Sequence, residues 1–423
     1  MNIRDEERRE AWDAVETRIG GALGKEITDK IARLYSLYDR DMLKWFAELY
    51  DPKIGGFYCT VPARDTDGYL PDIESTYAVL AAFHSMGMIK KYGSNFANAT
   101  PAWLNNKVGE FILSCQDEDG YFYQPQWGKD VSILRKSRDL TSAAYLLDCI
   151  GIKPRYPLPM IGKGDGESSF DLSNAPERFR SADNFRAYLE AQDLSKTSYH
   201  TGSELLSQFK EIEAYSKMLG VDLVSEIIAW LNKYKRADNG LWQEEIDYHA
   251  TNGLHKLAWV YNLADAPIPH LLACANSTLK IIMSDIPTKQ NVDVYNPWHV
   301  LGELVKNAKK HDKAQYDSLT ALIYSKASEA IEKTIEKISV YKRPDGSLSY
   351  RRDGLDCTSQ GSPSSPNGIP CSSINGTCCG SISLTSSVFK AFDIDDIRVP
   401  LYTEKDFDYF IEMIEKVNSK DKE

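Results

Sequence analysis

The chain has 423 residues, 42% hydrophobic and 26% charged, with a formal net charge of −11. Composition and length are those of an ordinary globular protein that needs no disulfide or metal staple to bury a core. The acidic balance argues against a general nucleic-acid binder, which needs a basic face to neutralise phosphates, but leaves room for a local basic pocket and an anionic small substrate.

The N-terminal stretch MNIRDEERREAWDAVETRIGG has no apolar segment behind its basic residues, so it does not read as a secretory signal. No run of about 18 apolar residues occurs, so no membrane insertion is expected and a cytoplasmic location follows. From there a pattern repeats. An amphipathic stretch, MLKWFAELY, leads into DPKIGGFYCT (51–60), and a charge-poor second stretch follows, PDIESTYAVLAAFHSMGM (71–88). The same order returns in VGEFILSC, QDEDGYFYQP (116–125) and SRDLTSAAYLLDCIGI (137–152). The segment 153–169 holds Pro and Gly without periodicity and reads as an excursion loop. TSYHTGSELLSQFKEIEAYSKMLG reads as a further helical pair. VSEIIAWLNKY, RADNGLWQEE (236–245) and YHATNGLHKLAWVYNLADA (248–266) restore the pattern. Another pair runs from Pro269 through VYNPWHVLGELVKN. ASEAIEKTIEKISVY, KRPDGSLSYR (342–351) and GSISLTSSVFKAFDIDD (380–396) close it, with a Ser/Pro/Gly/Cys-rich loop at 353–381 between the last two. The tail EKVNSKDKE is charged.

In each copy the D-G or N-G dipeptide predicts a left-handed turn that ends the preceding helix. The amphipathic stretches read as outer helices. The second stretches, rich in Ala, Ser, Thr and Leu, read as buried inner ones. An all-α fold follows: one domain over 1–423, a ring of repeated outer/inner hairpins with roughly a dozen helices, closed as an α/α toroid because small residues let inner helices crowd an axis.

Aligning three inner stretches on Gly87, Gly151 and Asp265 places Glu74, Arg138 and Asn252 at one position. Tyr77, Thr141 and His255 fall one turn on, and Ala81, Tyr145 and Trp259 two turns on. Positions i, i+3 and i+7 share a helix face, so one face offers a polar mouth, a hydroxyl and imidazole layer, and an aromatic floor. The same residues also fit helix caps and hydrogen-bonded core groups, with Asp72 a natural N-cap. Four clusters could carry acid–base chemistry: Asn252, His255 and Lys256 behind Tyr248 and His249; Tyr199 with His200; Tyr295, Asn296 and Trp298 followed by His299; and Arg138 with Asp139.

Cys59, Cys115, Cys149 and Cys274 read as small core residues. Cys357, Cys371, Cys378 and Cys379 have no standard zinc or iron–sulfur spacing, so no metal is expected and the loop reads as uncoordinated and redox-labile. The D-x-D-D string at 393–396 sits at the end of a helix and reads as surface. No phosphate-cradling glycine loop, HExxH or DDxxD motif occurs, and no cofactor is expected.

The phrases GGFY…DIESTYAVLAAFHSMG and QDEDGYFYQPQWG resemble repeats of the α/α-toroid superfamily: terpenoid cyclases, protein prenyltransferase β-subunits and the helical domains of polysaccharide lyases. The second is similar to the Q-x-x-D-G-x-W repeat of squalene-type cyclases, with Tyr121 or Phe122 in place of Trp. The resemblance covers about two thirds of the chain and speaks to architecture more than activity. Neither the zinc trio of prenyltransferases nor a mid-chain cyclase acid motif can be placed. The toroidal lyases imply an enzyme acting on uronate-containing oligosaccharides. Asn252 would neutralise the carboxylate, His255 or His200 would be the base, and Tyr248 or Tyr261 the acid. Glu74, Tyr77, Arg138, Tyr145, Trp259, Tyr295, Asn296 and Trp298 would bind substrate. An isoprenoid-binding protein and a non-catalytic glycan- or peptide-binding toroid are the alternatives.

Overall fold

A computed structural model of the chain describes residues 6–159, 175–355, 358–359 and 361–420. The expected excursion at 153–169 lies partly, and Cys357 wholly, outside the described residues. The fold is mostly helical. In chain order the helices are α1 (Glu6–Ile19), α2 (Gly21–Tyr35), α3 (Arg40–Glu48), the single turn α4 (Val61–Arg64), α5 (Ile73–Ser85), α6 (Ala102–Ser114) and α7 (Ile133–Ile150). After the excursion come α8 (Ala182–Glu190), α9 (Leu194–Ser207), α10 (Phe209–Leu219), α11 (Leu223–Tyr234), α12 (Tyr248–Leu263) and α13 (Leu271–Met283). The chain ends with α14 (Val292–His311), α15 (Lys313–Ser339), α16 (Ile374–Cys378), α17 (Leu384–Ala391) and α18 (Glu404–Lys420). The only strands among the described residues are the two-residue β1 (Thr358–Ser359) and β2 (Ser362–Pro363), paired antiparallel.

Polar caps start the helices that carry the second stretches of the repeat. Asp72, Ser132, Asp193, Asp247 and Ser373 each accept a backbone N–H in the first turn of α5, α7, α9, α12 and α16. Such caps satisfy donors that a helix start leaves open, each worth about 1 kcal/mol.

The turn glycines do something other than expected. Gly55, Gly120, Gly240 and Gly346 all have positive φ, but the preceding helices have already ended. Three of them lie in the turns of small hairpins after the helix, bridged at Tyr50–Phe57, Gln116–Phe122 and Lys342–Leu348. The acidic or amide residue of each phrase folds back on its own backbone: Asp51, Asp119, Asn239 and Asp345 accept from Ile54, Tyr121, Leu241 and Ser347. A left-handed residue in so tight a turn calls for glycine. A side chain at Gly55, Gly240 or Gly346 would also collide with backbone of α6, α13 and α3 respectively. Each of these turns is thus seated on another helix, and the last copy is seated on α3, the first helix of the pattern.

Neighbour relations follow the repeat. α5 packs on α7, α9 on α12, α12 on α14, α14 on α17, and α16 on α5. Around them α6 lies on α7, α13 on α14 and α15, α15 on α2, and α18 on α3. The two ends of the chain meet: Trp12 and Tyr35 pack against Phe389, and the buried Arg8 guanidinium donates to the carbonyls of Pro400 and Leu401. No helix among the described residues is long and apolar enough to cross a membrane.

The 353–381 stretch is not loop throughout. Its last third forms α16, which runs through a π-helical turn (Cys379–Ser383) into α17. Cys378 and Cys379 are therefore helical residues.

Candidate functional site

Glu74 stands in the first turn of α5 and takes two arginines from α7. Arg135 Nη1 donates to one carboxylate oxygen at 2.6 Å and Arg138 Nη1 to the other at 2.5 Å. Arg135 is buried and also grips Asp139 through two bonds, at 2.6 and 3.0 Å. Charges out of water need this degree of pairing. Against burial, which raises it, the two arginines hold the Glu74 carboxyl below its usual range. Burial pushes the neighbouring Asp72 up to about 6. Arg138, unlike Arg135, keeps nearly half of its side chain exposed.

From Arg138 the cluster extends to three further helices. Its charge acts on Tyr199 of α9, Lys256 of α12 and Cys379 of the π turn. Lys256 Nζ lies over the rings of Tyr199 and Trp259, 5.5 and 5.6 Å from their centroids. Burial, with Arg138 adding repulsion, lowers the Lys256 pKa. Burial pushes the Cys379 thiol up to about 12, so it is protonated near neutrality. The thiol lies 3.6 Å from Asn375 Oδ1, one turn earlier. π turns are rare and concentrate at functional sites, because the inserted residue re-aims the side chains that follow.

The third part is aromatic and imidazole. His255 of α12 is 4% exposed, and neither ring nitrogen has a hydrogen-bond partner. Its ring is 4.6 Å from that of His299, 5.7 Å from Trp259 and 6.1 Å from Tyr295. Tyr295, His299 and Glu303 stand one turn apart on α14. The Tyr295 hydroxyl is 3.4 Å from His299 Nδ1, and His299 Nε2 is 3.4 Å from a Glu303 carboxylate oxygen. Burial, reinforced by Lys256 and His299, drives the His255 pKa well below its ordinary value. Burial, with lysines nearby, brings His299 down to about 4. Both imidazoles are neutral at physiological pH. Burial raises the Tyr295 hydroxyl, Cys379 and Glu303 adding to the effect, so it keeps its proton.

One turn beyond Glu74 on α5 and two turns beyond Arg138 on α7, Tyr77 and Tyr145 meet edge-on at 5.2 Å. They line a cleft of about 470 Å³ with His84, Asn95 and Cys149. Tyr145 and Trp259 are each 37% exposed although both lie mid-helix, so both rings have open faces.

The structure thus brings together Glu74, Arg138, His255, Trp259 and Tyr295, and pairs Tyr77 with Tyr145. It places others elsewhere. Asn252 accepts from Asn296 at 2.9 Å and donates to Asp293 at 3.4 Å, so both amides belong to a polar lattice joining the starts of α12 and α14. The Tyr248 hydroxyl is committed to the carbonyl of Ile286. Tyr261 is fully buried and donates to Asn232 of α11 at 2.6 Å. Two residues beyond Trp259, it falls on nearly the opposite side of the helix. Neither tyrosine is positioned as the expected acid. Trp298, three residues from Tyr295, is rotated into the core and donates to Thr334 of α15. His200 is exposed, its ring edge-on to Tyr199, and among the described residues no contact ties it to His255.

Glu303 is not marked by the sequence reading, and Cys379 is read there only as part of an uncoordinated loop, not as a helical residue beside Arg138. Glu303 could have been found from the four-residue spacing of Tyr295, His299 and Glu303, which puts all three on one helix face. Cys379 carried no such signal, because it sat in a stretch whose composition reads as loop. Among the described residues, no three His, Cys, Asp or Glu side chains are grouped to hold a metal ion. No protein-family model matches the chain, and no curated protein matches it with significant similarity.

Proposed function

We propose that the helices close into an α/α toroid and that the convergent cluster is the active site of a lyase acting on uronate-containing oligosaccharides. The ring is supported by the unbroken run of neighbours α9, α12, α14 and α17, by the contact of α16 with α5, and by the seating of the last turn glycine on α3. The observation that carries the function is His255. A buried imidazole with both nitrogens unpaired is costly, and such exceptions call for a chemical reason. Here it is neutral, with a lone pair free to accept a proton, and lies next to a protonated phenol and Lys256.

In this reading Arg138 and Lys256 receive the uronate carboxylate and stabilise the charge that develops on it as the α-proton leaves. His255 takes that proton. The C–O bond to the leaving sugar breaks as the ring double bond forms, and the Tyr295 hydroxyl protonates the departing oxygen. His299, as the tautomer with its proton on Nδ1, donates to the transient phenolate, and the adjoining imidazoles give a route for the proton to return to Tyr295. Trp259 and Tyr145 offer open faces for sugar stacking. The acid is thus Tyr295, in place of Tyr248 or Tyr261.

The test is ultraviolet absorbance during incubation with a panel of uronate-containing oligosaccharides, since elimination creates a conjugated unsaturated uronate. A rise that vanishes in His255→Ala supports the reading. New reducing ends without the ultraviolet band would mean hydrolysis and overturn it, as would no cleavage of any member of the panel.

A further inference from the structure

Outside the cluster, one lysine among the described residues is buried and is not used by the proposed chemistry. Lys235 follows directly on α11 and turns inward, leaving 7% of the residue exposed. Its Nζ lies 4.3 Å from the ring centroid of Trp242 and 5.5 Å from that of Tyr261. Both walls are fixed: Trp242 Nε1 donates to the Leu231 carbonyl at 3.0 Å and Tyr261 donates to Asn232. No hydrogen bond of ordinary geometry reaches Nζ. The one titratable group acting on it is the thiol of Cys274 on α13. That thiol is fully buried and donates to the Gly240 carbonyl at 3.2 Å.

An ammonium without acceptors is expensive to bury, so burial lowers the Lys235 pKa and favours the neutral amine, which is a nucleophile. A thiol enclosed beside it is the natural electrophile once oxidised. We propose that Lys235 and Cys274 form a covalent S–N crosslink when the protein meets a hydroperoxide. The peroxide first oxidises the Cys274 thiol to a sulfenic acid, and its own O–O bond breaks to release water. The Lys235 amine then attacks sulfur. The S–N bond forms, the S–O bond breaks, the amine loses one proton, and a second water leaves. The net change is a two-electron oxidation of the thiol–amine pair, with the peroxide reduced. Hydrogen peroxide is close to water in size, and its access to the buried thiol requires a local opening of the packing. The crosslink joins the end of α11 to α13 and is reversed by thiol reductants. It does not depend on the lyase reading.

The full-length folded protein is treated with hydrogen peroxide, alkylated under denaturing conditions, digested and analysed by mass spectrometry. The expected product is a linked peptide pair containing Lys235 and Cys274, two hydrogens lighter than the sum of its parts. It disappears on treatment with dithiothreitol and is absent from Cys274→Ser and Lys235→Arg. Lys235→Met gives a second amine-free variant, and circular dichroism melts establish which variants are folded. Overturning results are an alkylated, unoxidised Cys274, a sulfenic acid trapped at Cys274 by a diketone probe with no linked peptide, or a linked peptide that retains an oxygen.

Discussion

Tyr295, His299 and Glu303 act on one another because α14 places residues four apart on one face. Each does a different job: a phenol that keeps its proton, an imidazole that is neutral, and a carboxylate behind it held by Asn262 at 2.6 Å. In the proposed reaction Tyr295→Phe removes the acid without changing the shape of the site. We expect kcat to fall about 10²-fold or more, the usual scale for losing a general acid, with KM little changed. Steady-state kinetics on any oligosaccharide that gives the ultraviolet product checks this. His299 also makes a prediction free of substrate. Its folded pKa of about 4 lies below the ordinary value, so the unfolded chain takes up the proton first. Its stabilising contribution is complete above pH about 6.5 and is lost as pH falls toward about 4, a change of about 3 kcal/mol. Asp72, raised to about 6, works in the opposite direction over part of that window and favours the native state on acidification. The measurement is therefore a difference: urea unfolding of wild type and His299→Asn at pH 7 and pH 4.5. The wild type should lose more on acidification. Parallel losses would mean that His299 is not neutral in the native protein. At this scale the sequence was legible where the repeat aligned residues. Glu74 and Arg138 were expected at equivalent positions and form an ion pair. It was illegible where rotation about a helix decides, because Tyr261 and Trp298 sit close in sequence to residues that face the cluster yet point the other way.

The pairing of α12 with α14 rests on a buried polar ladder as well as on apolar packing. Asn307, 1% exposed, donates to Asn262 Oδ1 at 2.8 Å and to the Ala266 carbonyl at 2.9 Å, and accepts from the Ile268 N–H at 2.9 Å. Asn262 in turn holds Glu303. Asn307→Ala leaves these buried and half-buried partners without that bond. We expect a loss of about 2–3 kcal/mol, the cost of stranding buried polar groups beyond that of trimming the side chain. Equilibrium urea denaturation reads it directly, and a loss under 1 kcal/mol would show that water replaces the amide. The elements themselves were readable from periodicity and capping residues, with Asp72 capping α5 as expected. The helical character of Ile374–Cys378 was not. Its Ser, Gly and Cys content is that of a loop, and the π turn breaks the period that would have marked a helix.

For the molecule as a whole, the repeat makes its strongest statement at its end. Gly55 seats its turn on α6 and Gly240 seats its own on α13, each contact made further along the chain. Gly346, in the last copy, has no later hairpin to meet and is seated instead on Asp41 and Met42, at the start of α3. In the proposed ring, this contact is where the last copy of the repeat returns to the first. Two glycines separate the cost of the turn from the cost of the closure. Gly68 and Gly346 both have φ near +90°. A Cβ at Gly68 meets only open space, while one at Gly346 runs into α3 backbone. Gly68→Ala should cost about 1–2 kcal/mol, the strain of a left-handed alanine. Gly346→Ala should exceed it by about 2 kcal/mol or more, since backbone cannot yield as a flexible side chain can. Hydrogen exchange distinguishes local from global damage. If the contact closes a ring, Gly346→Ala lowers amide protection in α1, α3 and α18 together, because Arg8 and Asp406 tie the chain ends across the same junction, with a nitrogen-to-oxygen distance of 3.6 Å. Loss confined to 342–351 would leave the turn an ordinary local feature and remove the main support for closure.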